Sequence, residues 1–314
     1  MMKRKYFILG TLVLGLITSS CVRKYVSIET ADAQTIVKPR YDSLAPLFYD
    51  IAEEEVVIHD YFSWINQRIE RYDSLLPYSL NDGILIHANS WLIDTFAHSD
   101  YYYQQARGVM IENQREYTVI KPGDTLRIPS VKEARMIEEK LDQVRIDVNL
   151  PEYKLRLWSG DSLICVIPIR IGQNGRKYLA TEGREFNLRT IIGKGTIVNI
   201  LEDPRYVSFS TGKEYIYTRR DDGKTTRMPQ IPSFEPEING VCHGQLIHAT
   251  TNPNTLGKAY SHGCMGTREE DAWRIYFYVR PGTPIEIRYD LYGVDEAGNP
   301  VEFEDVYQLK NKTL

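Results

Sequence analysis

Residues 247–264 read Ile247-His248-Ala249-Thr250-Thr251-Asn252-Pro253-Asn254-Thr255-Leu256-Gly257-Lys258-Ala259-Tyr260-Ser261-His262-Gly263-Cys264. This stretch brings two histidines, His248 and His262, within one loop of a cysteine, Cys264. A thiol becomes an effective nucleophile when a nearby imidazole takes its proton or pairs with the thiolate. Gly263 has no side chain, so a substrate carbonyl can approach the backbone beside Cys264 closely. The stretch therefore predicts cysteine-based chemistry.

The composition is that of a folded and mildly acidic protein. The chain has 314 residues, 42% of them hydrophobic, with a formal net charge of -4 and a pI of about 5.9. This length accommodates one large domain or two smaller ones. No strong positive field is present to attract nucleic acid. We therefore expect no nucleic-acid partner.

The N-terminus has the pattern of an export signal. Basic residues at 3–5 precede an apolar run from Tyr6 to Ile17, which is too short to span a bilayer permanently. Small residues then lead into Cys21, and this arrangement resembles the lipobox of bacterial lipoproteins, although Thr18 stands where an aliphatic residue is commoner. The resemblance implies that Cys21 is lipidated and anchors the protein to the inner or outer membrane, facing the periplasm. An ordinary cleaved signal with an incidental cysteine is the alternative.

Export to an oxidising compartment changes how the other cysteines are interpreted. Cys165, Cys242 and Cys264 are an odd number in the mature chain, so at least one stays free or pairs between molecules. Cys165 lies in an apolar, strand-like run and fits a small buried side chain. A Cys242–Cys264 disulfide is one alternative to a catalytic thiol. A zinc site is another, although the adjacent Cys242 and His243 are poorly spaced as ligands.

The chain divides by pattern into a tether, a helical or mixed N-terminal region and a mainly β catalytic domain. We assign 1–20 to the signal peptide, 21–43 to the tether, 44–143 to the N-terminal region, 145–290 to the catalytic domain and 291–314 to a C-terminal extension. Helical spacing of apolar residues predicts one or two amphipathic helices between residues 44 and 75. Thr118–Pro129 reads as strand, turn and strand, and it resembles the closing strand of LysM domains, which bind wall glycans. A degenerate LysM-like fold near 82–129 is one interpretation.

Two capping boxes predict helix starts. Ser130 with Glu133 opens one helix, and Thr267 with Glu270 opens another. The second helix would place its N-terminus near Cys264, where the helix dipole favours a thiolate. From residue 145 onward, alternating apolar residues and a hairpin predict strands. We predict an α+β fold, with a mainly β catalytic domain that contains one capped helix.

The motif at 247–264 resembles the signature of L,D-transpeptidases with a YkuD-type catalytic domain. Members carry a histidine near the end of one strand and a Ser/Thr-His-Gly-Cys sequence shortly afterwards, and the resemblance covers about residues 145–290. It implies a YkuD-like mixed-sheet sandwich or barrel. Cys264 would be the nucleophile and His248 the base that activates it. His262 and Ser261 would line the site, and the backbone around Gly263 and Cys264 would supply oxyanion contacts.

The resemblance also implies a reaction and its partners. D-Alanine leaves a peptidoglycan tetrapeptide stem, a thioester forms on Cys264, and an amine of a neighbouring stem attacks it. Water as acceptor would make the protein an L,D-carboxypeptidase. Thr250, Tyr260 and Arg268 would contact the substrate, with no cofactor and no metal. A lipid-anchored wall-binding protein whose catalytic domain has decayed is the non-enzymatic alternative.

Two departures from the family pattern concern substrate contacts. Members usually carry arginine two residues after the cysteine, where this chain has Gly266. Arg268 lies two positions further on and is the candidate for the same substrate carboxylate. Members also commonly show Thr-Pro-x-Gly before a central strand, whereas this chain has Thr190-Ile191-Ile192-Gly193.

Overall fold

The computed structural model describes residues 43–179, 183–208, 211–295 and 297–310, which all fall within the unit Pro39–Leu314. The expected signal peptide, Cys21 and the tether up to residue 42 lie outside the described residues, as do residues 311–314 of the C-terminal extension. Across the ranges that are described, no helix has the length and apolar character needed to cross a membrane.

The N-terminal region combines short helices with two small antiparallel sheets. Its helices are α1 (Ile58–Asp73), α2 (Asp82–Ala88), α3 (Trp91–Ala97), α4 (Tyr101–Ala106) and α5 (Val131–Asp142). Its strands are β1 (Phe48–Ile51), β2 (Val56–Val57), β3 (Thr118–Ile120) and β4 (Thr125–Ile128). Strand β1 pairs with β4, and β2 pairs with β3.

Part of the stretch predicted as helix is extended instead. The chain before Ile58 forms β1 and β2, because backbone pairing with the later strands overrides the local helical pattern. Strands β3 and β4 do not pair with each other, although Thr118–Pro129 reads as strand, turn and strand. Their partners at 48–57 lie outside 82–129, so the LysM-like interpretation of that range stays a prediction.

Helix α5 begins where its capping box predicts. The Ser130 Oγ accepts a hydrogen bond from the Glu133 N–H at 3.2 Å, which confirms the predicted N-cap. The Glu133 carboxylate forms an ion pair with Arg127 at 3.1 Å instead of turning back to the cap. The helix leads directly into the catalytic domain.

The catalytic domain and C-terminal extension contain many short strands and one helix. The strands are β5 (Val144–Asn149), β6 (Lys154–Ser159), β7 (Ser162–Pro168), β8 (Ile171–Gly172), β9 (Arg176–Leu179), β10 (Arg184–Asn187), β11 (Gly193–Leu201), β12 (Tyr217–Arg219), β13 (Thr225–Arg227), β14 (Ser233–Ile238), β15 (Val241–Cys242), β16 (Ile247–Ala249), β17 (Ala259–Ser261), β18 (Met265–Thr267), β19 (Pro284–Arg288), β20 (Tyr292–Val294) and β21 (Pro300–Glu302), and the helix is α6 (Glu269–Tyr278). Nine strands form one mixed sheet in the order β18-β16-β14-β11-β19-β5-β6-β7, with β15 paired to β14. The pairs β16–β18 and β19–β5 are parallel.

A backbone bridge joins the two outer edges of this sheet. Arg170 follows β7 at one edge, and Gly266 lies in β18 at the other. The Arg170 N–H donates to the Gly266 carbonyl at 2.9 Å, and the Gly266 N–H donates to the Arg170 carbonyl at 3.0 Å. The bridge makes the sheet a nearly closed barrel, so the predicted α+β class with a mainly β, barrel-like catalytic domain is confirmed.

Helix α6 packs between the barrel and the N-terminal region. Trp273 of α6 is fully buried, and its ring lies 4.4 Å from that of Phe96 in α3 and 6.3 Å from that of Phe62 in α1. Aromatic contacts of this kind add to the free energy gained by apolar burial. The N-terminal region and the catalytic domain therefore share one hydrophobic core.

The predicted capping box at the start of α6 is wrong. Thr267 is fully buried in β18, and its hydroxyl donates to the next backbone carbonyl, while α6 begins two residues later. Asp100, which precedes α4, instead accepts a hydrogen bond from the Glu270 N–H at 3.2 Å. Strand β18 also separates Cys264 from α6, and an extended chain rises about 3.3 Å per residue. The helix dipole is therefore too remote to act on Cys264 as predicted.

Candidate active site

A cavity of about 550 Å³ opens where the barrel closes, and it collects most of the predicted site residues. Its lining consists of Arg170, Val207, Ser208, Tyr215, His248, Tyr260, Ser261, His262 and Cys264. The loop before β12 supplies one wall, and β16, β17 and the turn before β18 supply another. The sequence motif therefore folds into a single cleft.

His248 is positioned by the parallel pairing of β16 with β18, which sets it opposite Gly266. Its Nδ1 lies 2.7 Å from the Ala249 carbonyl, so Nδ1 carries the proton and Nε2 is the basic nitrogen. Burial lowers the pKa of His248 to about 4, and the positive charge of Arg170 acts in the same direction. His248 is therefore a neutral imidazole near neutral pH.

Cys264 is almost fully buried, with 7% of its surface exposed. Its Sγ accepts a weak hydrogen bond from the Leu246 N–H at 3.4 Å. Burial raises the pKa of the Cys264 thiol above its ordinary value, although the Leu246 N–H and the Arg170 charge both oppose the rise. Burial therefore favours the neutral forms of both the Cys264 thiol and the His248 imidazole.

The turn that carries Cys264 is fixed by its own side chains and backbone. The Ser261 hydroxyl donates to the Cys264 carbonyl at 2.6 Å and accepts from the Gly263 N–H at 3.2 Å. Gly263 has a φ of 119°, and a Cβ there would lie 2.5 Å from the Gln245 Nε2, so the position requires glycine. The Gly263 N–H is thus engaged within the turn by Ser261, and the oxyanion role of the backbone around Gly263 and Cys264 stays a prediction.

Thr190 connects this turn to the opposite side of the domain. Its hydroxyl donates to the Gly263 carbonyl at 2.9 Å and accepts from the Gly172 N–H at 2.9 Å. The Tyr307 hydroxyl donates to the Gly172 carbonyl at 2.8 Å and accepts from the Thr190 N–H at 3.0 Å. The threonine of the altered Thr-Ile-Ile-Gly sequence therefore holds the cysteine turn. Tyr307, in the C-terminal extension, was missed because nothing in its local sequence marks it.

The two remaining residues predicted to line the cavity lie at its mouth. The His262 Nε2 lies 3.5 Å from the Lys177 Nζ, and burial followed by the Lys177 charge lowers the pKa of His262. Tyr260 is 56% exposed. His262 is thus held beside a lysine ammonium outside the interior of the cleft, whereas His248 lies inside it. This arrangement supports His248 ahead of His262 as the base.

Two predicted substrate contacts do not line this cavity. Thr250 is buried, and its hydroxyl accepts from the Asn252 N–H at 3.2 Å, which shapes the loop after β16. Arg268 lines a separate cavity and forms an ion pair with Glu270 at 3.4 Å. Neither Thr250 nor Arg268 lines the cavity of Cys264, and their contact with a substrate stays a prediction.

Arg170 is the lining residue that sequence reasoning missed. It belongs to another edge of the sheet, and only the barrel closure brings it to the motif. Its Nη1 donates to the Thr255 hydroxyl at 3.3 Å. Nothing in the residues around position 170 indicated this placement.

The three described cysteines are not paired with one another. Cys165, Cys242 and Cys264 are all free thiols, so the Cys242–Cys264 disulfide is wrong. Cys242 is exposed at the end of β15, whereas Cys264 lies inside the cleft. Within the described ranges, no group of three or more His, Cys, Asp or Glu side chains is arranged to hold a metal ion.

Solved structures with a similar fold include several transpeptidases. An L,D-transpeptidase from Mycobacterium smegmatis is 15% identical, with a TM-score of 0.33 over 46% of this chain and 58% of that chain. L,D-transpeptidase 3 from Mycobacterium tuberculosis, in complex with a faropenem-derived adduct, is 18% identical, with a TM-score of 0.32 over 46% of this chain and 60% of that chain. An L,D-transpeptidase from Xylanimonas cellulosilytica is 13% identical, with a TM-score of 0.34 over 66% of this chain and 94% of that chain. The chain thus spans less than two thirds of the mycobacterial proteins, and similarity this distant identifies no functional residue.

The family comparison is more specific. No curated protein matches the chain. The family model of the YkuD-type L,D-transpeptidase catalytic domain matches residues 143–287, which include the cavity lining and the sheet from β5 to β19. Residues 143–287 of this chain are therefore similar to the YkuD-type catalytic domain of L,D-transpeptidases.

Proposed function

We propose that the protein is a peptidoglycan L,D-transpeptidase that forms a thioester on Cys264. The observation that supports this proposal is the shared cavity of Cys264 and His248 within a YkuD-type domain. The donor would be a tetrapeptide stem that ends in D-alanine, and the acceptor an amine of a neighbouring stem. Neither formation of the thioester nor its attack by the acceptor amine requires a cofactor.

The arrangement allows a two-step acyl transfer in which His248 moves each proton. The His248 Nε2 takes the thiol proton, and the Cys264 sulfur attacks the carbonyl carbon of the third stem residue. The C–N bond then breaks, and D-alanine leaves with the proton from His248. In the second step, the acceptor amine attacks the thioester and gives a proton to His248. The C–S bond breaks, and the proton returns to the Cys264 sulfur.

Product analysis tests this function. The full-length protein in detergent is incubated with a tetrapeptide donor and an amine acceptor, and the products are separated and weighed. We expect release of D-alanine and a cross-linked product. Cys264→Ala should lower turnover by several orders of magnitude. Cys242→Ala, which removes an exposed thiol, is the matched control and should retain activity.

The same assay separates the alternatives. Tripeptide as the sole product would indicate an L,D-carboxypeptidase, in which water attacks the thioester. No consumption of donor by the folded protein would favour a wall-binding protein whose catalytic domain has decayed. Equal turnover by Cys264→Ala and the parent protein would overturn the thioester mechanism.

We also propose that a lipid on Cys21 anchors the protein to a membrane, facing the periplasm. Support for this proposal is the basic, apolar and small-residue pattern at 3–21, which resembles a lipoprotein signal. Mass spectrometry of the mature N-terminal peptide should find acyl chains on Cys21. Cys21→Ala should release the protein from the membrane fraction, and an unmodified Cys21 in the mature protein would contradict the anchor.

A further inference from the structure

Arg170 places a positive charge in the wall of the catalytic cavity. Among the described residues that line the cavity, it is the one side chain with a guanidinium or ammonium group. Its backbone is fixed by the bridge to Gly266, and its Nη1 by Thr255. Its charge acts on both reacting groups, since it opposes the rise in the pKa of Cys264 and lowers the pKa of His248. The guanidinium and the Cys264 thiol line the same cavity.

The half-buried Arg170 guanidinium lacks the partners that the buried Arg220 has. Arg220 is fully buried, pairs with Glu269 at 2.8 Å and donates to Gln114 at 2.6 Å. Among the described residues, the Arg170 Nε has no hydrogen-bond partner, and no carboxylate forms an ion pair with the Arg170 guanidinium. A desolvated cation without a counter-ion is unfavourable, and such groups in clefts often serve to bind a ligand. The missing partner is an anion.

Gly266 leaves open the space that the Arg170 side chain occupies. A Cβ at position 266 would lie 2.5 Å from the Arg170 Nε and 2.8 Å from its Cγ. A side chain at 266 would therefore displace Arg170, so the two positions share one volume. Glycine at 266 and arginine at 170 form a reciprocal pair across the seam of the barrel.

We propose that Arg170 binds a carboxylate of the donor stem beside Cys264. The absence of a side chain at Gly266 leaves room for the Arg170 side chain to take this position. A guanidinium presents parallel N–H groups that match a carboxylate, and its charge-assisted hydrogen bonds are strong. The inference rests on the proposed function for the identity of the donor. The stem offers a carboxylate on the terminal D-alanine and, when the third residue is a diamino acid with a free carboxyl, a second one nearby. Both present the same chemistry to Arg170.

The first test does not depend on enzymatic activity. Alkylation of Cys264 is measured with anionic iodoacetate and with neutral iodoacetamide, by mass mapping of the peptide that contains Cys264. Arg170→Gln should lower the iodoacetate-to-iodoacetamide rate ratio at Cys264 by roughly tenfold at low salt, because a nearby unit charge is lost. Arg170→Lys should keep most of the ratio. Exposed Cys242 in the same digest is the internal control, and its ratio should not change.

The second test moves the guanidinium to the other member of the pair. Arg170→Ala should raise the KM for the tetrapeptide roughly tenfold or more, with a smaller change in kcat, since a charge-assisted contact to the donor is lost. Gly266→Arg alone should lower activity, because its side chain meets Arg170. The double variant Arg170→Ala/Gly266→Arg should have a lower KM than Arg170→Ala alone. A merely structural role for Arg170 would not produce this decrease. Thermal unfolding checks that each variant folds.

Amidated donors identify the carboxylate. Amidation of the carboxylate that Arg170 binds should raise the KM of the parent protein and leave the KM of Arg170→Gln unchanged. If neither amidated donor behaves in this way, the inference is overturned. It is also overturned if Arg170→Gln leaves the alkylation ratio at Cys264 unchanged, and this result can be read even if Gly266→Arg does not fold.

The outcomes also separate this inference from the proposed function. If the parent protein consumes no tetrapeptide while Arg170→Gln loses the preference for iodoacetate, the transpeptidase proposal fails and the anion site stands. If the parent protein consumes tetrapeptide and Arg170→Gln matches it in KM and alkylation ratio, the role of Arg170 fails and the transpeptidase proposal stands.

Discussion

Two parts of the molecule shield an arginine from solvent to different degrees. They differ in whether the charge of that arginine is paired with a carboxylate of the protein. At the joint between the N-terminal region and α6, Arg220 pairs with Glu269, donates to Thr226 at 2.7 Å and stacks on the Tyr101 ring at 4.0 Å. In the cavity, the Arg170 side chain forms one hydrogen bond to a described residue, Thr255 at 3.3 Å, and its Nε has no partner among the described residues. A fully paired charge stabilises one arrangement of the protein, whereas an unpaired one is available to a ligand.

The same contrast extends to the surroundings of each arginine. The joint is aromatic, and Gln114 also donates to Glu269 at 2.8 Å, so both charges of the Arg220–Glu269 pair have partners within the protein. The cavity is open, and its thiol and imidazole rest uncharged because burial disfavours both ions. The joint therefore pairs its arginine within the protein, whereas the cavity retains an arginine whose Nε has no partner among the described residues.

Removal of each arginine separates the two regions most sharply. Arg220→Met should lower the free energy of unfolding by about 3–5 kcal/mol, because it leaves Glu269 buried without its partner. Arg170→Met, the matched control, should change it by less than about 1 kcal/mol, since no buried carboxylate loses a partner. Urea unfolding at neutral pH measures both. Equal losses in the two variants would contradict the distinction.

Loss of one hydroxyl at Tyr307 should affect both stability and catalysis. Tyr307→Phe removes the donor to the Gly172 carbonyl and the acceptor of the Thr190 N–H, both buried, and should lower the free energy of unfolding by about 1–3 kcal/mol. Activity should fall several-fold, because Thr190 holds the Gly263 carbonyl next to Cys264. Tyr292→Phe, on the exposed β20, is the control and should leave both unchanged. An unchanged kcat/KM in Tyr307→Phe would contradict the role of Thr190 in positioning Cys264.

The pH dependence of kcat/KM should reflect the neutral forms of His248 and Cys264. It is the smallest of the expected effects. Because burial and Arg170 lower the pKa of His248 from 6.5 to about 4, its base form persists in acid, and the acid limb of kcat/KM should lie near pH 4. Arg170→Gln should move this limb upward, because a charge that disfavours the imidazolium is gone. Burial raises the pKa of the Cys264 thiol above its ordinary value of 9.0, so the rate of its alkylation by iodoacetamide should still be increasing with pH at pH 9.0. A rate that levels off below about pH 7.5 would instead indicate a thiolate–imidazolium pair.

The part of the site that is local in sequence could be predicted, and the part that depends on barrel closure could not. Cys264, His248, Ser261 and His262 lie within one segment, so its spacing alone placed them together. Arg170 joins them only through its bridge to Gly266, between strands at opposite ends of the sheet order. A local sequence pattern does not reveal that two distant strands will pair in this way.

The errors in the fold have similar physical causes. Thr267 and Glu270 fit a capping box, but pairing of β18 with β16 draws Thr267 into the sheet, and Asp100 caps α6 instead. The same extended strand takes Arg268 out of the cavity that its spacing suggested. In both cases a long-range backbone pairing, which the local sequence does not reveal, decides where a side chain lies.

The central claim, that Cys264 accepts an acyl group, is tested most directly by trapping that group. A β-lactam carbonyl is a strained acyl donor that a nucleophilic thiol opens, so the protein is incubated with a carbapenem and weighed intact. We predict one added β-lactam mass that maps to Cys264, is absent in Cys264→Ala and persists in Cys242→Ala. An unmodified protein, or an adduct confined to Cys242 or Cys165, would contradict the account.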